Sequence, residues 1–175
     1  MRWTTQTIVA LFLFGAVAVW ADEPVSGSRS AREALTLCAS ADSAPTTDRL
    51  GILSLAQQRA EEAIRENSRD PMAHFAVFCS LGKRAGIRRH ALGFLAVVGD
   101  LGRIRLEIDY TLALAPNYPA ALAAKGQMLT ELPVLFGGDP QEGQRLLRRA
   151  ASLDPNDSEI RSLSADSLEA ARDTR

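Results

Sequence analysis

The sequence predicts an all-α fold, and three observations support this prediction. Alanine and leucine dominate the chain, and apolar residues recur at spacings of three and four, as on one face of a helix. Runs of β-branched residues are absent outside the N-terminal apolar segment. Three prolines, Pro71, Pro116 and Pro155, recur at intervals of about 40 residues, which is typical of solenoids built from helix pairs.

The first 21 residues have the pattern of a secretory signal peptide. Arg2 precedes the apolar run "IVALFLFGAVAVW", and "VWA" places small residues before a cleavage point at Asp22. The polar "TTQT" makes the run shorter than the roughly 20 apolar residues of a spanning helix, although an uncleaved anchor is the alternative. We therefore expect a signal peptide at 1–21, a flexible N-terminus at 22–29, a helical domain at 30–172, and a periplasmic location.

Composition and cysteine content exclude several classes of function. The chain has 175 residues and a formal net charge of −1, and it lacks interleaved basic and aromatic residues, so nucleic-acid binding is not expected. Its two cysteines, Cys38 and Cys79, lie on the apolar stripes of predicted helices. Either they are two buried thiols, or they form a disulfide between facing helices, since an exported chain can be oxidised. There is no CxxC motif and no cysteine–histidine ligand spacing, so we predict no metal site and no cofactor.

Seven helices are predicted from the apolar spacing and from start and stop signals. A capping box of Ser30 and Glu33 begins the first helix, and a second box of Asn156 and Glu159 begins the last. The other helices are predicted at about 47–66, from Pro71, at about 100–115, from Pro119, and from Pro140 to about 153, with a glycine-containing connector at 87–102. Predicted core positions include Leu50, Leu53, Ala56, Phe75, Phe78, Ile104, Ile108, Ala121, Leu122, Gly126, Gly143, Leu146, Leu147 and Ala150.

The stretch "LFGGDPQEGQRLLRR" is similar in composition to a phosphate-binding loop. A Walker loop needs a lysine after its second glycine and a strand before its first, whereas Asp139 and Pro140 follow here. The same residues suit a helix start: Gly137 or Gly138 supplies a left-handed turn, with positive φ expected at Gly138. Asp139 then caps the helix, Pro140 takes its first position, and Glu142 completes a box-like pairing. We predict a structural turn.

The chain resembles a tetratricopeptide repeat (TPR) protein, most clearly over 119–155. The first helix of this unit matches the motif positions Trp, Leu, Gly and Tyr with Leu122, Lys125, Gly126 and Leu129. Its second helix matches the motif positions Ala, Phe, Ala and Pro with Gly143, Leu147, Ala150 and Pro155. "PVLFGGDP" is an insertion between the two helices, and this insertion resembles the periplasmic T-component of TRAP transporters. The resemblance implies an α-α superhelix of about three irregular TPR-like hairpins with a C-terminal capping helix.

A basic run between residues 83 and 105 is the candidate binding feature. It contains one acid, Asp100, and six basic residues: Lys83, Arg84, Arg88, Arg89, Arg103 and Arg105. On a concave surface these residues would suit a carboxylate, an acidic protein segment or anionic lipid headgroups. The alternative is a solvated helix C-terminus, where the helix dipole favours cations. His74 is expected to be a packed or capping histidine, and no catalytic residue is predicted.

Together, the pattern and the resemblance imply an exported, non-enzymatic scaffold that binds a protein segment in its concave groove. The alternative is an accessory, T-component-like subunit of a solute transporter that encloses a small ligand, perhaps as an oligomer. Membrane contact is compatible with both expectations but is not predicted by either.

Overall fold

The computed structural model describes residues 25–173, and within them the chain is all-helical with no strand, as predicted. The predicted signal peptide and residues 22–24 lie outside the described residues. The helices are α1 (Arg29–Ser43), α2 (Thr46–Glu66), α3 (Pro71–Leu92), α4 (Val98–Leu114), α5 (Pro119–Glu131), α6 (Pro140–Leu153) and α7 (Ser158–Asp173). Two short 3₁₀ turns, Phe94–Val97 and Val134–Phe136, precede α4 and α6.

Helices that are adjacent in the sequence pack against each other. The chain forms three consecutive hairpins, α1–α2, α3–α4 and α5–α6, and α7 packs on α5 and α6. Helix α3 also contacts α1 and α2, and α4 contacts α5, so each hairpin lies against the next. None of the helices within the described residues is both long enough and apolar enough to cross a membrane.

Small residues allow the paired helices to approach closely. The buried stripes of α1 and α2 are mostly alanine. At the crossing of α5 and α6, a Cβ added to Gly126 would lie 2.8 Å from the carbonyl oxygen of Gly143. A Cβ added to Gly143 would lie 2.7 Å from the carbonyl oxygen of Gly126. The two glycines that matched the repeat motif therefore face each other, and the insertion between them leaves their contact intact.

A disulfide joins Cys38 of α1 to Cys79 of α3, with 6.5 Å between their Cα atoms. Of the two alternatives left open by the sequence, the structure contains the bridge. Such a cross-link restricts the unfolded chain and typically contributes about 2–4 kcal/mol. It therefore fixes the first hairpin to the second.

At two helices the capping residue lies one or two positions away from the predicted one. Ser28, and not Ser30, caps α1, because its Oγ accepts a hydrogen bond from the backbone N–H of Ala31. The backbone N–H of Ser28 also donates to Asp70 at 2.7 Å, so this part of the predicted flexible N-terminus contacts the start of α3. At α7, Asp157, and not Asn156, accepts hydrogen bonds from the first backbone N–H groups of the helix.

The predicted connector at 87–102 is wrong over most of its length. Helix α3 continues to Leu92, and α4 already begins at Val98. Gly86 and Gly99 are helical, since a helix tolerates an isolated glycine at a cost of about 1 kcal/mol. The break occurs only at Gly93, whose φ of 84° favours glycine. Leu50, predicted to be buried, is 45% exposed because the buried stripe of α2 begins at Leu53.

The turn before α6 has the predicted function but a different arrangement of its glycines. Gly137, with φ 77°, adopts the left-handed conformation, and Gly138 does not. Gly138 is required for space, since an added Cβ would lie 1.8 Å from the carbonyl oxygen of Leu132. Asp139 caps α6 by accepting from the N–H of Glu142, and Pro140 is its first residue, as predicted. The Glu142 side chain pairs with Arg145 and not with the cap.

Gly138→Ala should lower the free energy of unfolding by roughly 2 kcal/mol, because the Leu132 carbonyl must move to admit the methyl group. Gly102→Ala is the control: Gly102 lies within α4, and a Cβ there has open space. This control should be neutral or should raise stability by up to about 1 kcal/mol. Urea denaturation of both variants measures the difference, and equal midpoints for the two would contradict the packing described at Gly138.

Candidate functional site

An open cleft of about 700 Å³ is the candidate functional site. We call it the inner cleft. Its lining comes from α1, α3, α5 and α7, with additions from the first 3₁₀ turn and the start of α4. The larger apolar residues in the lining are Leu35, Phe75, Phe78, Phe94, Leu101, Tyr118, Met128, Leu132 and Leu163. The odd-numbered helices therefore share one inner surface.

Aromatic side chains close one end of the inner cleft between α3 and α5. The ring of Phe75 lies 5.9 Å from that of Phe78 and 5.1 Å from that of Tyr118. Burial, and to a lesser extent the charge of Asp70, raise the pKa of Tyr118 to about 12. Tyr118 is therefore neutral at physiological pH and contributes apolar surface to this end of the cleft.

Small residues line the helical walls between the two ends. On α3 these are Gly82, Ala85 and Gly86, and on α5 they are Ala120, Ala123 and Ala124. A Cβ added to Gly82 or Gly86 would meet no atom within 4 Å. A guest in the cleft could therefore approach the α3 backbone closely.

Two pairs of opposite charge line the inner cleft, and the carboxylates of Asp157 and Glu159 line it as well. Lys83 donates to Asp42 at 2.5 Å and to the carbonyl oxygen of Cys38 at 3.0 Å. Arg89 lies 3.9 Å from Glu131. The edge of the cleft thus presents both signs of charge.

The six residues of the predicted basic run do not form one surface in the structure. Only Lys83 and Arg89 line the inner cleft. Arg84 and Arg103 turn towards α2, where they donate to Gln57 at 2.6 Å and to Glu61 at 2.7 Å. Arg88 pairs with Asp100, and Arg105 donates to the carbonyl oxygen of Phe136. All six cations therefore have partners within the described residues, and these partners offset part of the positive field.

A chain of polar contacts crosses the outer side of α3. His74, which is buried, contacts Glu107 of α4 at 2.7 Å through Nδ1 and the carbonyl oxygen of Ser68 at 3.1 Å through Nε2. The imidazole therefore connects the loop before α3 to α4. The sequence analysis predicted a packed histidine but not its partner, because Glu107 follows it by 33 residues.

The chain continues from Glu107 to α2. Arg103 lies 3.5 Å from Glu107 and 2.7 Å from Glu61, and Gln57 connects Glu61 to Arg84. Burial is the largest single effect on the pKa of Glu61 and raises it. Hydrogen bonds from Gln57 and Arg103 together outweigh burial, so the pKa lies below the ordinary value of 4.5. The polar chain thus ties α3 to both α2 and α4.

The inner cleft has a mostly apolar lining with charged side chains at its edge. Cys79 lines the cleft, but its sulfur is in the disulfide. No group of three or more potential metal ligands occurs within the described residues. A lining that combines large apolar side chains, small side chains on the helices and a few charged groups is typical of a ligand-binding surface.

Comparisons with protein-family models, with curated proteins and with solved structures returned no match.

Replacing Glu61 with Gln should weaken the response of stability to acid. Because folding lowers the pKa of Glu61, its contribution is present above pH 4.5 and is lost as the pH falls through the lower folded value. The loss of unfolding free energy between about pH 5 and pH 3 should therefore be smaller in Glu61→Gln than in the parent. Chemical denaturation across this range measures it, with Glu66→Gln, an exposed site on the same helix, as the control. Parallel profiles for all three proteins would contradict the polar chain.

Proposed function

We propose that the protein is an exported, non-enzymatic scaffold that holds a segment of another protein in the inner cleft. The observation that carries the proposal is the shared inner surface of α1, α3, α5 and α7. In proteins built from stacked helix pairs, an extended concave surface of this kind is the usual binding surface. The family resemblance in the sequence points to the same type of function.

The lining of the inner cleft suggests the chemistry of the guest. The larger lining residues are aromatic or aliphatic, and the side chains along α3 and α5 between them are small. Such a lining suits a segment that anchors a few apolar side chains, such as an amphipathic helix. The sequence analysis expected an acidic partner, and of the six basic residues behind that expectation only Lys83 and Arg89 line the inner cleft. Because each already lies beside a carboxylate, we expect the guest to carry both signs of charge and not a purely acidic run.

Export is the second part of the proposal. The pattern of residues 1–21 supports removal of a signal peptide, and the disulfide fits an oxidising compartment such as the periplasm. N-terminal sequencing of the protein from a periplasmic fraction should start at Asp22. Recovery of an intact Met1 in the membrane fraction would contradict this part.

The alternative is that the cleft binds a small ligand, and the volume of the cleft is suitable for one. A volume of about 700 Å³ lies within the roughly 300–1,000 Å³ of small-molecule sites. An accessory subunit of a solute transporter, in one or several copies, would use the cleft in this way.

A bulky side chain on the α3 wall should abolish binding without unfolding the protein. In Gly86→Phe the ring has open space at Cβ and projects where the guest would lie, and replacing a helical glycine raises helix propensity. Peptides selected from a displayed random library against the parent protein serve as probes. Fluorescence anisotropy should show at least a tenfold loss of their affinity for Gly86→Phe.

Gly102→Phe is the matched control, since Gly102 is helical, has open space at Cβ and does not line the cleft. This variant should bind the selected peptides as the parent does. Equal binding by both variants would refute the cleft as the peptide site. If no peptide is selected, but native mass spectrometry finds a small molecule on the parent that Gly86→Phe lacks, the alternative function is supported instead.

A further inference from the structure

The two 3₁₀ turns lie side by side at one end of the fold. The rings of Phe94 in the first turn and Phe136 in the second are 4.7 Å apart. Arg105 of α4 donates to the carbonyl oxygen of Phe136 and holds the second turn in place. The side chains of Leu92, Leu95, Val134 and Leu135 extend from these joined turns, and we call these four residues the loop tips.

The loop tips are the most exposed large apolar side chains within the described residues. Their exposed fractions are 72% for Leu92, 82% for Leu95, 74% for Val134 and 88% for Leu135. Packing does not explain them, because the core contacts of the two turns come from other residues, such as Val97 and Phe94. Large apolar side chains exposed together on two adjacent turns and the helix end before them mark an interaction site.

Three arginines belong to or contact the elements that carry the loop tips. Arg88 and Arg89 belong to the last turns of α3, just before Leu92, and Arg105 lies beneath the second turn. The ion pairs of Arg88 with Asp100 and of Arg89 with Glu131 are at the surface, with the two arginine side chains about 40% exposed. Arg105 has no carboxylate at ion-pair distance within the described residues. Exposed ion pairs exchange partners at little cost, so Arg88 and Arg89 can turn from their carboxylates to other anions.

We infer that the loop tips dock into the interfacial region of an anionic lipid bilayer. Apolar side chains at the boundary of headgroups and acyl chains, with arginines at the level of the phosphates, are the usual arrangement of a peripheral membrane contact. A stable contact with a second copy needs about 20–30 residues from each side, far more than the tips supply. A bilayer accepts a few protruding side chains without a matching surface.

This membrane contact is separate from the inner cleft but adjacent to it. Phe94 both lines the cleft and supports the tips, so docking would place one end of the cleft near the membrane. A guest segment belonging to a membrane protein would then be within reach. The contact itself requires only the tips and their arginines, and it can be tested whatever the cleft binds.

A local fluorescent reporter tests the contact. Both native cysteines are in the disulfide, so Leu135→Cys offers a single reactive thiol for an environment-sensitive fluorophore. With vesicles of phosphatidylglycerol and phosphatidylcholine, its emission should shift to the blue and increase at least twofold, and with phosphatidylcholine alone the change should be much smaller. The same fluorophore on Leu50→Cys, on α2, should not respond. Because the signal is local, attachment of the chain through another segment does not imitate it.

Paired substitutions test the contribution of the apolar side chains. Leu95→Ser combined with Leu135→Ser should reduce co-sedimentation with the anionic vesicles at least tenfold, with an unchanged melting temperature. Leu50→Ser combined with Leu55→Ser is the control, because both leucines are exposed but lie on α2. A silent reporter at residue 135, or a response equal to that at residue 50, would overturn the inference. A change of oligomeric state in the tip variant, seen by sedimentation velocity without vesicle binding, would assign the tips to a second copy instead.

Discussion

The attachment of α3 to α1, α2 and α4 is the constraint on which the inner cleft depends. The disulfide joins α3 to α1, and the polar chain from Arg84 through Arg103 to His74 joins it to α2 and α4. Buried polar networks are stable only when their members are paired, so this arrangement specifies one position for the helix. Because none of the polar-chain side chains on α3 lines the inner cleft, its wall of glycine and alanine is left uncovered.

The two ends of the cleft are held apart by different groups of rings. Phe75 and Tyr118 are in contact between α3 and α5, and Phe94 of the first 3₁₀ turn lines the cleft and packs against Phe136 of the second. Aromatic side chains are large and have few rotamers, so they make effective spacers. Between these groups only small side chains line α3 and α5, and the space between the helices stays open. The two 3₁₀ turns that supply Phe94 and Phe136 also carry the exposed Leu95, Val134 and Leu135, so one lining residue of the cleft and the proposed membrane contact have a common structural origin.

Local signals in the sequence predicted much of the fold. The 3.6-residue periodicity gave all seven helices, and the prolines at 71, 119 and 140 gave three helix starts to the residue, because a proline at the first turn has no N–H to satisfy. Gly126 and Gly143 were both predicted to be buried, and both are. The errors occurred where two neighbouring residues could do the same task, as with Ser28 and Ser30 at the first cap, or where a glycine was tolerated inside a helix, as at Gly86.

The site was harder to predict because it depends on contacts between distant residues. The basic run looked continuous in the sequence, yet the helical geometry sends Arg84 towards α2 and leaves Arg89 at the cleft. Which carboxylate meets each arginine, such as Glu61 for Arg103, is not encoded in any local pattern. The cleft walls were missed because glycine and alanine on the inner face of α3 give no periodic apolar signal. The small residues Gly82, Ala85 and Gly86 on α3 were the signal in the sequence that could have indicated this wall.

The most direct test of the open inner cleft is the reactivity of a thiol placed on its wall. Gly86→Cys has open space at Cβ and should react with a small methanethiosulfonate reagent about as fast as Gly102→Cys, an exposed site on α4. A saturating concentration of a selected peptide should protect the thiol at residue 86 and leave the one at residue 102 unaffected. An unreactive thiol at residue 86 would show that the cleft is closed in solution, and a reactive thiol that bound peptide fails to protect would show that the peptide binds elsewhere.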